Sequence, residues 1–161
     1  MILASLFACA ETCPTPQSRL EGVAWNVFFQ PVEYAVDNEA FPAESSPGNG
    51  EHTLEITWLS SQLFQGAIQV AIDGQVFDGT GTWSDVECGH FVMGWSGVYL
   101  ADPEAEESAT HAFAASAQLV TYGTTLDGFV DWEETWKSVD GQVGTWVSAS
   151  QLFGSSVETP L

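Results

Sequence analysis

From Glu21 onward, apolar residues recur at every second position. Leu54, Ile56 and Trp58 alternate with Thr53, Glu55 and Thr57, and the same rhythm returns at Ile68, Val70 and Ile72, at Leu126, Val130 and Trp132, and at Val143, Thr145 and Val147. A period of two places the apolar set on one face of an extended chain, and long runs with a helical period of 3.6 are absent. The pattern predicts strands over 22–35, 51–59, 64–72, 75–83, 90–100, 110–122, 125–136 and 142–151. Asp73-Gly74 and Asp140-Gly141 sit between such runs as hairpin signals, because both residue types tolerate positive φ, and Gly123-Thr124 marks a third turn. Consecutive strands then pair as antiparallel neighbours. The expected fold is therefore all-β, a meander of about eight antiparallel strands. Such a sheet must hide its edges, and closure into an up-and-down barrel is preferred to folding into a two-sheet sandwich. Residues 37–50, with Pro42, Pro47, Gly48 and Gly50, form the longest irregular connection, and Asp102 to Ser108 form an acidic surface loop.

A chain of 161 residues fits one domain. We place it at 21–153, with a flexible tail at 154–161. Seven Trp and ten Phe supply enough apolar surface to offset the entropy of ordering the backbone, so this is not a disordered acidic tail. Charge narrows the partners. The 22 Asp and Glu face only Arg19 and Lys137, for a formal charge of −20. Nucleic acid and anionic lipid headgroups need clusters of Lys and Arg that this chain lacks.

Met1 to Ala8 is a short apolar run ending in Leu6-Phe7-Ala8-Cys9, and this tetrapeptide resembles the lipobox of bacterial lipoproteins. The resemblance implies that 1–8 are the remnant of a signal peptide, that Cys9 carries lipid, and that 9–20 are a tether. Ala10 after the cysteine implies sorting to the outer membrane, which places the protein in the cell envelope. With Cys9 acylated, Cys13 and Cys88 remain as an even pair in an exported protein, which reads as a disulfide. Closing so long a loop is worth about 4 kcal/mol in the chain-entropy model. The rival reading is a metal or catalytic site at Cys88 and His90, beside Asp85 and Glu87. No later segment offers some 18 apolar residues in a row, so membrane attachment is expected through the lipid alone.

The eight-stranded meander is similar in architecture to the calycins, the barrels of lipocalins and avidin-like proteins. Gly22-Val23-Ala24-Trp25 is one residue longer than the lipocalin Gly-x-Trp motif and puts Trp25 on the opposite strand face from that motif's tryptophan. In such a barrel, bulky aromatics line an interior or a mouth. The candidate ligand-binding residues are Trp95, Tyr99, Trp132 and Trp136, of which Trp132 and Trp136 share a face by parity. Small residues at Ala112, Ala114 and Ala117 could leave interior room.

Other chemistry is weaker. Asp102, Glu104, Glu106 and Glu107 offer oxygen ligands to Ca²⁺ without the EF-hand spacing. Asp131, Glu133 and Glu134 could pair carboxylates on a glycosidic bond, with Trp132 or Trp136 holding the sugar. Gly94-Trp95-Ser96-Gly97 approaches Gly-x-Ser-x-Gly, but the second glycine comes one position early and no helix follows. His52, His90 and His111 are isolated in sequence, and Gly79-Thr80-Gly81 suits a bulge or bend inside a strand. The expected function is a non-enzymatic binding or interaction module, without cofactor or metal, that takes a small apolar molecule or an envelope component. A structural envelope lipoprotein with a filled core is the alternative, and a glycan hydrolase ranks below both.

Overall fold

A computed structural model describes residues 23–43, 46–60, 64–83 and 89–157. Eight strands follow one another as β1 (Ala24–Val36), β2 (Gly50–Trp58), β3 (Gln65–Ile72), β4 (Gln75–Trp83), β5 (His90–Leu100), β6 (Thr110–Tyr122), β7 (Thr125–Lys137) and β8 (Val143–Ser156). Each pairs antiparallel with its neighbour, and β8 returns to β1, so the meander closes into a barrel with no free edge. The eighth strand continues to Ser156 and so takes in the first three residues of the segment read as a tail. Those residues are held because Ser155 and Ser156 pair with β7 or β1.

The turns follow their local chemistry. Ile72 and Gln75 close a two-residue hairpin in which Asp73 and Gly74 both have positive φ, 49° and 82°. A primed turn of this kind matches the right-handed twist of the flanking strands.

Strand length differs around the ring. β2, β3 and β4 have 8 or 9 residues, whereas β6, β7, β8 and β1 have 13 or 14. One wall is therefore low at the end that carries the 73–74 turn, the 101–109 loop and the 138–142 turn. We call this end the mouth. β1 pairs with β2 only from Ala24 to Phe29 and runs on beside β8 to Val36. Residues 37–43 and 46–49 then fold back over the mouth, where Phe41 packs against His111, Trp136 and Trp146 at centroid separations of 6.2, 6.4 and 6.1 Å.

Alternation decides what enters the barrel. Trp25, Leu54, Ile68, Phe113, Leu119, Val130 and Trp146 are buried, while their sequence neighbours along the strands mostly face solvent. Each buried Trp removes about 200 Å² from water, worth roughly 5 kcal/mol by area. Glycine supplies the room. A Cβ on Gly81 would lie 2.6 Å from the Trp58 ring, and one on Gly97 2.3 Å from the Phe77 ring. The glycines of Gly79-Thr80-Gly81 therefore admit close-packed aromatics on a strand of regular register, in place of the bulge expected there. Ala117 faces inward, but Ala112 and Ala114 lie on the outer face and leave no interior room.

Candidate functional site

Glu134 sits on β7 between Trp132 and Trp136, and parity sends all three side chains into the barrel. A carboxylate that is 0% exposed must find donors for its lone pairs, and Glu134 finds four. His111 Nδ1 lies 2.5 Å from Oε1, and the Tyr99 hydroxyl donates to the same oxygen at 2.6 Å. On Oε2, the Ser46 hydroxyl donates at 2.5 Å and the Trp132 indole N–H at 2.8 Å. Burial by itself would raise the Glu134 pKa. The donors His111, Ser46, Tyr99 and Trp132 outweigh it and hold the group below the ordinary carboxylate value. Tyr99 shifts upward, through burial first and then through the adjacent Glu134 carboxylate.

Four elements meet at this carboxylate: the 37–49 segment through Ser46, β5 through Tyr99, β6 through His111 and β7 itself. The loop is fixed in depth as well. The Gly48 N–H donates to Ser46 Oγ at 3.2 Å, and a Cβ on Gly48 would lie 2.6 Å from the Trp132 indole. Tyr99 stacks on His111 with centroids 4.5 Å apart and planes 17° off parallel.

A second His–carboxylate pair stands on the low wall. His52 lies between two acceptors, with Nδ1 2.6 Å from the Asp73 carboxylate and Nε2 2.8 Å from the Asn49 carbonyl. The other Asp73 oxygen accepts the Thr53 N–H at 2.7 Å. Burial raises the Asp73 pKa, and the hydrogen bonds from His52 and Thr53 more than offset it, so the net shift is downward.

Between these pairs lies a cleft of about 170 Å³. Pro47 lies at its roof, His52, Ile72 and Asp73 belong to the low wall, and Tyr99, Leu100 and His111 to the high wall. His111 Nε2, across the ring from Glu134, is buried and has no hydrogen-bond partner among the described residues. The Nε1 atoms of Trp25, Trp58 and Trp95 and the Thr121 hydroxyl are likewise unpartnered, but none of those residues lines this cleft.

The four aromatic candidates all point inward, and Trp95, Tyr99 and Trp132 are brought together through Phe113. Phe113 stacks on Trp132 at 4.4 Å, Trp95 meets Trp132 edge-on at 6.4 Å, and Tyr99 lies 6.2 Å from Phe113. Of the four, only Tyr99 reaches the cleft; Trp95 and Trp132 pack the core, and Trp136 packs against Phe41 at the mouth.

The carboxylate trio is divided by strand parity. Asp131 and Glu133 face solvent on the outer wall and Glu134 faces the interior, so no paired acid and base forms there. Gly94 to Gly97 lie in the regular stretch of β5, with Ser96 on the outer face. His52 and His111 share the mouth, whereas His90 begins β5 at the opposite end. The 102–107 loop is exposed, and Asp102 uses Oδ1 to accept the Glu104 N–H. Among the described residues, no three His, Cys, Asp or Glu side chains gather as they would around a metal ion. Cys9, Cys13, Asp85, Glu87 and Cys88 lie outside the described residues.

No motif in the sequence marks His111 or Ser46 as a site residue. The parity signal for His111 was present, since it alternates with Ala112 on the Phe113 face. Ser46 sits in an irregular segment with no period to read.

No protein-family model, curated protein or solved structure matches the chain.

Proposed function

We propose that this chain is an extracytoplasmic, lipid-anchored binding module that meets its ligand at the barrel mouth. The buried Glu134 carboxylate and its four donors carry this reading. Taking a carboxylate out of water costs several kcal/mol, and an apolar replacement would often serve a core as well or better. Here the charge fixes one loop and three strands around a cleft, as preorganisation of a site requires. A small molecule or another envelope component would be met there, since aromatic side chains fill the barrel below.

The lipid anchor rests on Leu6-Phe7-Ala8-Cys9. β1 begins at the barrel end opposite the mouth, so the chain that follows Cys9 joins the barrel away from the cleft. Ala10 favours the outer membrane for such an anchor.

A second reading, a structural envelope lipoprotein, is favoured by the interlock of aromatic rings with Gly48, Gly81 and Gly97, which leaves the core filled.

Native mass spectrometry followed by solvent extraction, on the full chain recovered from a bacterial envelope, separates the two. A stoichiometric extra mass released by solvent supports the binding module, and a bare protein mass supports the structural reading. For the anchor, Cys9→Ser is expected to abolish acylation and membrane association; unchanged processing and fractionation would refute it.

A further inference from the structure

We propose that the mouth cleft recognises a ring-sized, non-anionic molecule carrying an O–H or N–H donor, such as a phenol or an azole, and that His111 Nε2 accepts its hydrogen bond. This inference rests on the reading of the mouth as the binding site.

His111 supplies the directional contact. Its Nδ1 faces a carboxylate oxygen, which can only accept, so of the two neutral tautomers the geometry selects the one with its hydrogen on Nδ1 and a lone pair at Nε2. That nitrogen is buried without a partner among the described residues, and a buried acceptor left unpaired destabilises the fold. A donor placed there removes that destabilisation. Stacking on Tyr99 and edge contact with Phe41 hold the ring in place.

Size and charge narrow the ligand. The cleft volume of about 170 Å³ is close to the ~150 Å³ that accepts benzene in an engineered apolar cavity. Pro47, Ile72, Phe77 and Leu100 offer apolar surface to a ring body. Asp73 lines the same cleft, Glu134 lies behind His111, and the chain carries a formal charge of −20, so an anion is repelled.

The test titrates the full chain with phenol, toluene and benzoate, which share a ring and differ in donor and charge. NMR reads the His111 Nε2 resonance together with the methyl resonances of Ile72 and Leu100. Phenol is expected to move all three and to bind at least tenfold more tightly than toluene, with benzoate weakest. His111→Phe, which keeps a ring beside Tyr99, is expected to cost phenol at least tenfold and to leave toluene unchanged.

Ile72→Trp, which fills the cleft and leaves every donor of Glu134 in the sequence, is expected to abolish phenol binding should His111→Phe fail to fold. Equal binding of phenol and toluene at the methyls, with His111 Nε2 unmoved, overturns the donor assignment and leaves the mouth as the site. Absence of any methyl shift overturns the inference, while the mouth reading itself is judged by the native mass.

Discussion

Glu134 stands directly opposite Phe113 in the β6–β7 ladder, yet its carboxylate reaches diagonally along the strand pair to His111, 2.5 Å from Nδ1. Diagonal neighbours on one sheet face lie within reach of long side chains. Because this face is the barrel interior, the contact is shielded from water, and Ser46 closes over it.

Removing the charge at Glu134 should cost more than removing any acid on the outer wall. In Glu134→Gln the amide nitrogen meets donors where the carboxylate met them with an acceptor. Loss of one member of a buried charged network typically costs about 3–5 kcal/mol. Urea unfolding should therefore place Glu134→Gln roughly 3 kcal/mol below wild type, while the solvent-facing Glu133→Gln stays within about 0.5 kcal/mol. Equal effects of the two would refute the network.

Stability should fall at both ends of the pH scale. Glu134 and Asp73 have folded pKa values below their ordinary 4.5 and 3.8, so the folded state binds fewer protons than the unfolded chain in acid. Their contribution is complete above those values and is lost as pH drops through the depressed ones. Tyr99 is shifted the other way, above its ordinary 10.0, so its contribution is complete below 10.0 and is lost as pH rises past it. Melting temperature against pH should show a neutral plateau with both flanks, and Tyr99→Phe should flatten the alkaline flank. An unchanged alkaline flank in that variant would contradict the placement of Tyr99.

Gly48→Ala should loosen the mouth. The added methyl would lie 2.6 Å from the Trp132 ring, which cannot swing aside without breaking its bond to Glu134. Overpacking of this kind costs about 1–3 kcal/mol. Hydrogen exchange should accelerate at 46–49 in this variant; a wild-type melt with unchanged exchange would count against the close fit.

Added NaCl should raise the melting temperature. With 22 acids against two basic residues, the folded surface repels itself, and salt screens exposed charges over about 10 Å at 0.1 M. A melt independent of salt would mean that the acids are locally compensated.

Strand number, order and turns were legible because alternation and Asp-Gly pairs act locally. Leu54, Ile56 and Trp58 point inward as their spacing required, and the 73–74 hairpin falls where the dipeptide put it. The shared inward face of Trp132 and Trp136 was equally readable, and it implied that Glu134 between them also faces inward. Proximity in sequence to Asp131 and Glu133 is no guide to Glu134, since neighbours on a strand face opposite ways. The rest was not local. No period marks Ser46, 88 residues from Glu134, and the depth of the 37–49 segment depends on an indole meeting a glycine across the barrel.

Glu134 holds His111 through Nδ1, and the geometry of the mouth depends on that contact. Long-range proton–nitrogen NMR of the histidine side chains tests this directly, on wild type and Glu134→Gln. A hydrogen on His111 Nδ1, far downfield and slow to exchange in wild type and shifted back in the variant, is the predicted result. A His111 Nδ1 without a hydrogen, or a spectrum identical in the two proteins, would contradict it.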